Sequence, residues 1–502
     1  MVDAALTALV MLLQPYNLAM LLSGVIAGVF VGILPGLGGT VGMIILLPFV
    51  YGMDPYAALA LFMGMTAILR TVDSIPAVLF ALPGTAGSQA TIMDGYPLAR
   101  KGEAGRALGA AFTASMIGGV FGAAALSLSL PLAKPIISSL GSPEFLMLSI
   151  LGITMVGVLS GARPLRGVIA GFLGVLASSI GGAPSAVDLR YTFGLPYLME
   201  GIPLVVLAMG LFAVPEIVDL IIRGTAISDK PQLGRGAMVG VRDTLRNFWL
   251  VLRCSVIGTF VGFLPGMGAS AANWMAYGHA VQTARDKSQF GKGDIRGVIA
   301  PEAANDSSAG GSLIPTILFG IPGSAAMAVF LYALIVLGIN PGPTMLTQQL
   351  DMAYTMVWGL ALGNIIASIV CILISVPLSR LTTISVHYWV PFALIIILLA
   401  SYQSTRSWGD LAVLVLMSLI GWFMKRLSWP RPPLLIGFVL GAIMERYLWL
   451  SSMRYGMEWM TRPLVIVIAL ITVASVIAGL RASRLADTTP AAARASTDGR
   501  DD

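Results

Sequence analysis

The feature that decides what this chain can become is a succession of fourteen apolar runs, at 18–34, 40–50, 57–69, 107–128, 145–160, 167–181, 201–222, 247–264, 313–338, 352–377, 388–403, 410–424, 433–448 and 463–480. A helix needs about 20 apolar residues to cross roughly 30 Å of hydrocarbon, so the chain reads as an all-α polytopic membrane protein with roughly 10–13 transmembrane helices. Charge content agrees: 11% of residues are charged, against about 25% in soluble domains that must cover a wet surface. The runs are uneven. Those shorter than about 17 residues suit half-helices, re-entrant hairpins or tilted pairs, because backbone at membrane depth must find partners in protein or in a water-filled cavity.

Composition removes several classes of function. Two cysteines, Cys254 and Cys371, and two histidines, His279 and His387, cannot build a disulfide framework, a zinc ribbon or a multi-haem electron path. The net charge of +6 is spread over short connectors and one central loop, the distribution produced by positive-inside topology rather than by nucleic-acid binding. The first basic residue is Arg70, so the opening apolar stretch lacks the basic start of a signal peptide and is expected to stay in the mature protein.

A duplication is legible. Residues 28–42 read GVFVGILPGLGGTVG and residues 258–272 read GTFVGFLPGMGASAA, with eight of fifteen positions identical at an offset of 230. A second pair follows in the same order, IPAVLFALPG at 75–84 and IPTILFGIPG at 314–323, with six of ten identical at an offset of 239. The connector between the two motifs has no Lys or Arg in the first copy (50–56) but carries Arg285, Lys287, Lys292 and Arg296 in the second. The segment after the second motif reverses this, with Arg100, Lys101 and Arg106 in the first copy and no basic residue over 339–351 in the second. Basic connectors face the cytoplasm, so equivalent loops lie on opposite sides: the copies are inverted repeats, with a substrate site expected where they meet near the midplane. The organisation is a first repeat over 1–222, a basic connector over 223–246, a second repeat over 247–426, additional helices over 427–480 and a disordered tail over 481–502. Connector and tail are assigned to the cytoplasm.

Each copy interrupts apolar sequence with Leu-Pro-Gly-x-Gly, at 34–38 and 264–268. Proline removes a backbone donor and glycine opens conformations closed to other residues, so the helix breaks there. The helix that restarts aims unpaired N–H groups and its positive dipole end at the break, which suits a carboxylate or phosphate. The second motifs carry two prolines seven apart and end in Pro-Gly before Thr85 or Ser324; they read as re-entrant hairpin tips. Polar side chains at such depth are costly and mark functional sites by default. The expected substrate-binding set is therefore Pro35, Gly36, Gly38, Gly39, Thr40, Ser74, Pro83, Gly84, Thr85 and Ser88 from the first copy. The second copy supplies Pro265, Gly266, Gly268, Ser270, Asn273, Asn305, Ser307, Pro322, Gly323 and Ser324. For a coupling ion, Na⁺ or H⁺, the candidates are Asp73, Glu302, Asn305 and Asp306. Glu302 and Asp306 share a helix face, with the alternative that Glu302 partners the helix N-terminus. Asp73 pairs most simply with Arg70, which could instead counter an anionic substrate.

The blocks Gly32–Gly38, 93–97 (MDGYP) with Arg100-Lys101-Gly102, 105–109 (GRALG), Gly262–Gly268 and Pro301–Gly311 continuing into Ile314–Ser324 resemble the large permease subunit of tripartite tricarboxylate transporters, the TctA family, over about residues 15–450. The resemblance implies a secondary active transporter of the bacterial inner (cytoplasmic) membrane that imports a small organic di- or tricarboxylate without ATP or cofactor. It implies work alongside a small four-helix membrane subunit (TctB-like) and a periplasmic solute-binding protein (TctC-like), driven by a Na⁺ or H⁺ gradient. The chain departs from the family's usual Gly-Gly-Ser, Asn-Thr-Pro-Gly and Asn-Asn at Val72-Asp73-Ser74, Ala81-Leu82-Pro83-Gly84 and Asn305-Asp306, which leaves the particular carboxylate open. Alternating access of elevator type is the expected mechanism. An uncoupled anion channel is the alternative, and a homodimer is left open. A membrane-embedded lipid-modifying enzyme is disfavoured, since no Gly-x-Ser-x-Gly elbow, HExxH helix or phosphate loop occurs. No nucleic-acid partner and no firm metal site are expected.

Overall fold

A computed structural model describes residues 1–33, 38–160, 163–183, 188–223, 236–381 and 386–488. Among them the only strands are the two-residue pair Gly181–Gly182 and Leu189–Arg190; the rest of the regular structure is helical, and the chain is an all-α, multi-pass membrane protein. Eight described helices are long and apolar enough to cross a bilayer alone: Pro15–Gly32, Pro55–Phe80, Ala104–Ile137, Ser142–Leu159, Leu350–Ile374, Trp408–Arg426, Arg431–Tyr455 and Pro463–Arg481. Shorter apolar helices such as Gly38–Phe49, Phe248–Phe263 and Ala325–Val336 fill in between them. The final helix continues to Thr488, so regular structure reaches into the stretch that composition assigns to the tail. Residues 489–502 and residues 224–235 of the basic connector lie outside the described residues.

At the centre stands the helix Arg296–Phe319, in which every residue from Gly297 to Leu318 is buried. It holds Glu302, Asn305, Asp306, Ser307 and Ser308, too polar a set to face lipid, and protein wraps it on all sides. Its most extensive packing is against Ala104–Ser139 and Phe248–Phe263.

The duplication holds in three dimensions. A side chain at Gly28 would run into Met65 and Ile68, and one at Gly258 into Ala304 and Ser307. Gly32 is pressed against Val72 and Leu69, and Gly262 against Ser308. Gly28, Gly32, Met65, Ile68 and Leu69 map onto Gly258, Gly262, Ala304, Ser307 and Ser308 by the two sequence offsets, so one glycine-seamed helix pair occurs twice. Glycine is needed there because, in lipid, close backbone approach and its dispersion contacts replace the hydrophobic driving force for helix association. The equivalent helices Pro55–Phe80 and Arg296–Phe319 run antiparallel: Arg70 meets Asn305 and Ser308, whereas Gly95 sits between Val78 and Val298. That crossing is the geometry of inverted copies.

The second motifs take a specific form. Pro55–Val72 continues through Asp73 into Ser74–Phe80, so Ile75–Phe80 is the end of a 26-residue helix rather than a short arm of its own. The helix stops at Ala81, which is left-handed with φ +53°, as its counterpart Gly320 is with φ +69°. The N–H groups of Leu82 and Ile321 then return to the carbonyls of Pro76 and Pro315 at 3.3 and 3.1 Å. From there the chain doubles back: Gly84 lies against Asp73, and Gly323 against Ser312. In the first copy the next helix, Gln89–Arg100, sets off again in the original direction, since its Gly95 is beside Val78. The expected hairpin tip is thus a short extended return between two helices that overlap and run the same way.

Candidate functional site

The second Pro-Gly break is where the sequence places it. Helix Phe248–Phe263 ends before Leu264, and the next, Gly268–Thr283, begins at a glycine with φ +69°. In the first copy Pro15–Gly32 ends and Gly38–Leu46 begins at a glycine with φ +66°. Only glycine takes such a backbone without strain, so the matched conformation at Gly38 and Gly268 is set by composition. Pro35 and Gly36 lie outside the described residues.

Both restarting helices open onto one cavity of about 450 Å³. Gly38, Gly39 and Thr40 line it from the first copy; Gly266, Gly268 and Ser270 line it from the second. The overlapped helices add Thr85 and Ser324, and the central helix adds Asn305. Thr85 and Ser324 are the caps of the segments they precede, accepting from the N–H of Gly87 at 3.0 Å and of Met327 at 3.3 Å. Four chain reversals from two copies therefore meet at a single point, each presenting backbone N–H or hydroxyl groups.

The remaining expected residues support this lining from behind. The Ser74 hydroxyl donates to the Thr71 carbonyl at 2.8 Å and that of Ser307 to the Ala304 carbonyl at 3.2 Å, the local back-bonding that satisfies a helix hydroxyl. Ser88 closes the Thr85 cap, its hydroxyl accepting from the Thr85 N–H at 3.4 Å. Gly323 accepts from the N–H of Gly266 at 3.1 Å, which ties the break of the second copy to its return. Pro83, Gly84, Pro265 and Pro322 shape these turns without lining the cavity. Asn273 is buried with neither side-chain atom partnered and also stands off the cavity.

Arg70 is the residue whose place the sequence left between two readings. It makes no ion pair with Asp73; its Nη1 reaches across to the antiparallel helix and donates to the Asn305 carbonyl at 2.7 Å and the Ser308 hydroxyl at 2.5 Å. The simplest pairing gives way to other partners: Asp73 accepts from the Thr85 hydroxyl, and from Asn305 Nδ2 at 3.5 Å. Arg70 lines the cavity, with its Nε and Nη2 unbonded among the described residues, and a guanidinium presented this way matches a carboxylate.

Three carboxylates lie behind that wall. Glu302 is buried inside the helix bundle rather than placed as a partner for a helix end, accepting from the Thr91 hydroxyl at 2.5 Å and the Ser115 hydroxyl at 3.2 Å. Asp306 is 1% exposed, and neither of its oxygens has a hydrogen-bond partner. Asp73 keeps one oxygen unpartnered. Among the described residues no group of three or more His, Cys, Asp or Glu side chains converges to hold a metal ion.

The lining also includes residues that carry no sequence signal: Met43, Met327, Leu159, Ser160 and Pro432. Met43 and Met327 sit on the helices that begin at Gly38 and just after Ser324, whereas Leu159, Ser160 and Pro432 belong to segments outside the two motifs and reach the cavity through the packing. Thr66 belongs with them in the lining, although its hydroxyl is turned back to the Phe62 carbonyl at 2.8 Å.

Comparison with known proteins agrees with this architecture. The family model described as "Tripartite tricarboxylate transporter TctA family" matches residues 18–436. A protein of Agrobacterium vitis described as an uncharacterized 52.8 kDa protein in the TAR-I ttuC' 3' region is 29% identical over 486 residues, covering 93% of this chain and 94% of that protein. A second Agrobacterium vitis protein, described from the TAR-II ttuC' 3' region, is 30% identical over 195 residues, covering 38% of this chain and 79% of its own length. No solved structure matches the chain.

Proposed function

The chain belongs to the tripartite tricarboxylate transporter TctA family, and from that membership we propose that it is the ion-gradient-driven permease through which a small organic di- or tricarboxylate enters a bacterial cell. It sits in the inner membrane beside a small four-helix subunit, and a periplasmic binding protein hands it the anion. It needs no cofactor; a Na⁺ or H⁺ gradient supplies the work.

One observation carries the reading. The two helix restarts, the two return loops and the Arg70 guanidinium, all from inverted copies, face one cavity of about 450 Å³. Ligand pockets for small molecules begin at roughly 300 Å³, so a compact polycarboxylate fits. Helix N-termini and a guanidinium are the groups that bind such an anion without a full counter-ion. A site at the interface of inverted repeats is opened alternately to each side when one unit moves against the other, here in an elevator-type displacement.

The test is uptake by proteoliposomes holding the chain with its small subunit and the loaded binding protein. Carboxylate accumulation that follows an imposed ion gradient supports the proposal. Accumulation absent under every gradient refutes it, and flux that is insensitive to gradients identifies an uncoupled channel instead.

A further inference from the structure

Buried charge in the layer behind the cavity does not balance. Asp73, Glu302 and Asp306 are each at most 1% exposed. The titratable groups facing Asp306 are Arg70 and Asp73 from Pro55–Phe80, Glu302 one turn away on its own helix, and the Cys371 thiol from Leu350–Leu381. Arg70 is the single cation in that set. Three ionised carboxylates against one guanidinium would leave two uncompensated charges in a low-dielectric interior, which proteins avoid by binding protons or counter-ions.

The hydrogen bonds indicate which carboxyl is arranged to be neutral. Glu302 receives two hydroxyl donors, from Thr91 and Ser115. Asp73 receives the Thr85 hydroxyl. Asp306 receives none. The hydroxyls nearest it, those of Ser115 and Thr71, donate to Glu302 at 3.2 Å and to the Ala67 carbonyl at 3.1 Å. Ionised, Asp306 would be a buried charge with no hydrogen bond, a cost that a bound proton removes. Among the described residues no group of three or more His, Cys, Asp or Glu side chains gathers around it as a metal cage would.

We infer that Asp306 is the proton-carrying group of this protein, and that the coupling ion is H⁺. This rests on the transport reading above and narrows it. Arg70 is the link: it lines the cavity and faces Asp306, so a proton bound at Asp306 offsets one of the two or three negative charges of an anion bound at Arg70, and the two travel together. Glu302, one turn away, is the adjoining acceptor toward the helix Gln89–Arg100, whose Thr91 hydroxyl donates to it. The step is reversible protonation of one carboxyl oxygen, with no other bond made or broken.

The experiment uses proteoliposomes with the complete three-component system, citrate and succinate as probes, and a pH-sensitive dye trapped inside. In Na⁺-free buffer, addition of either transported probe should acidify the lumen, and an inward H⁺ gradient should raise uptake at least tenfold. Asp306→Asn should lose that stimulation and the acidification, with Asp306→Glu restoring part of both. If the wild-type protein takes up carboxylate on an inward Na⁺ gradient at equal pH and shows no lumenal acidification without Na⁺, this inference is overturned while transport stands. If neither probe moves under any gradient, the transport reading falls and takes this inference with it. The wild-type measurement decides the matter even where a variant fails to fold.

Discussion

The N–H of Gly266 donates to the carbonyl of Gly323 at 3.1 Å, joining the broken helix of the second copy to the return loop of the same copy. Neither partner is in regular structure, so this bond is what holds two irregular segments in register at membrane depth. There an unpaired backbone group costs several kcal/mol, and the pairing fixes the cavity wall as one piece.

Gly266 is the sharpest test of that wall. It has φ +89°, and a Cβ there would stand 2.6 Å from the Val156 Cα. Gly266→Ala should cost about 1–3 kcal/mol in backbone strain alone, read as a lower unfolding temperature in detergent. Gly266→Leu should abolish uptake while the protein still inserts in the membrane. Wild-type uptake by the leucine variant would remove this loop from the site.

Arg70 should tolerate no conservative exchange. Lysine keeps the charge but cannot donate at once to the Asn305 carbonyl, the Ser308 hydroxyl and an anion in the cavity. Arg70→Lys is expected to raise the apparent KM for a transported carboxylate at least tenfold, and Arg70→Gln to eliminate measurable uptake. Saturation curves from reconstituted protein provide the check, and unchanged KM in Arg70→Lys would mean that the anion binds elsewhere.

Thr85 and Ser324 occupy matched positions with unequal duties. Ser324→Ala removes one cap hydrogen bond, worth about 1 kcal/mol. Thr85→Val removes a cap and also the hydroxyl donor to buried Asp73, leaving a buried acceptor short of a partner at about 1–3 kcal/mol. Thermal melts should therefore rank Thr85→Val clearly below Ser324→Ala; equal losses would show that the Asp73 contact contributes nothing.

Asp94 pins the polar loop 284–295. It accepts from the N–H groups of Gly293 and Asp294 at 2.8 and 2.9 Å and from the Tyr277 hydroxyl at 3.0 Å. Hydrogen bonds to a charged acceptor are worth about 1.5–3 kcal/mol each, so Asp94→Ala should free the loop. Limited trypsin digestion should cut at Lys287 and Lys292 severalfold faster in the variant, and identical rates would argue that other contacts hold the loop.

The repeat was readable because glycine and proline act through the backbone. Positions that need close approach or φ > 0 admit one residue, so Gly28, Gly32, Gly38 and their counterparts Gly258, Gly262 and Gly268 survive in both copies as identities. The charges were harder to place because they are not duplicated: Arg70 corresponds to Ala309, Asp306 to Ala67 and Glu302 to Met63. No internal comparison can say where such side chains point. Arg70 and Asp73 are three apart on one helix, spacing that suggests a pair, yet the antiparallel neighbour supplies better partners for each. The doubling-back after Phe80 was hidden for a similar reason. Proline at 76 and 83 marks a disturbance, but whether the chain reverses or overlaps depends on what Gly84 packs against. Leu159, Ser160 and Pro432 enter the cavity wall through packing between remote segments, which leaves no local trace.

The central helix also bears on how the protein is made. Arg296–Phe319 is long enough to span at 24 residues, yet it is absent from the eight helices apolar enough to do so. Each acidic residue at mid-depth costs roughly 2.5–3.5 kcal/mol on insertion by the translocon, and this segment carries two. It cannot be released into lipid on its own during synthesis. The first copy, already translated, must be waiting to receive it, so assembly of the second half is templated by the first, and a ribosome product carrying only the later half would leave this segment stranded outside the bilayer.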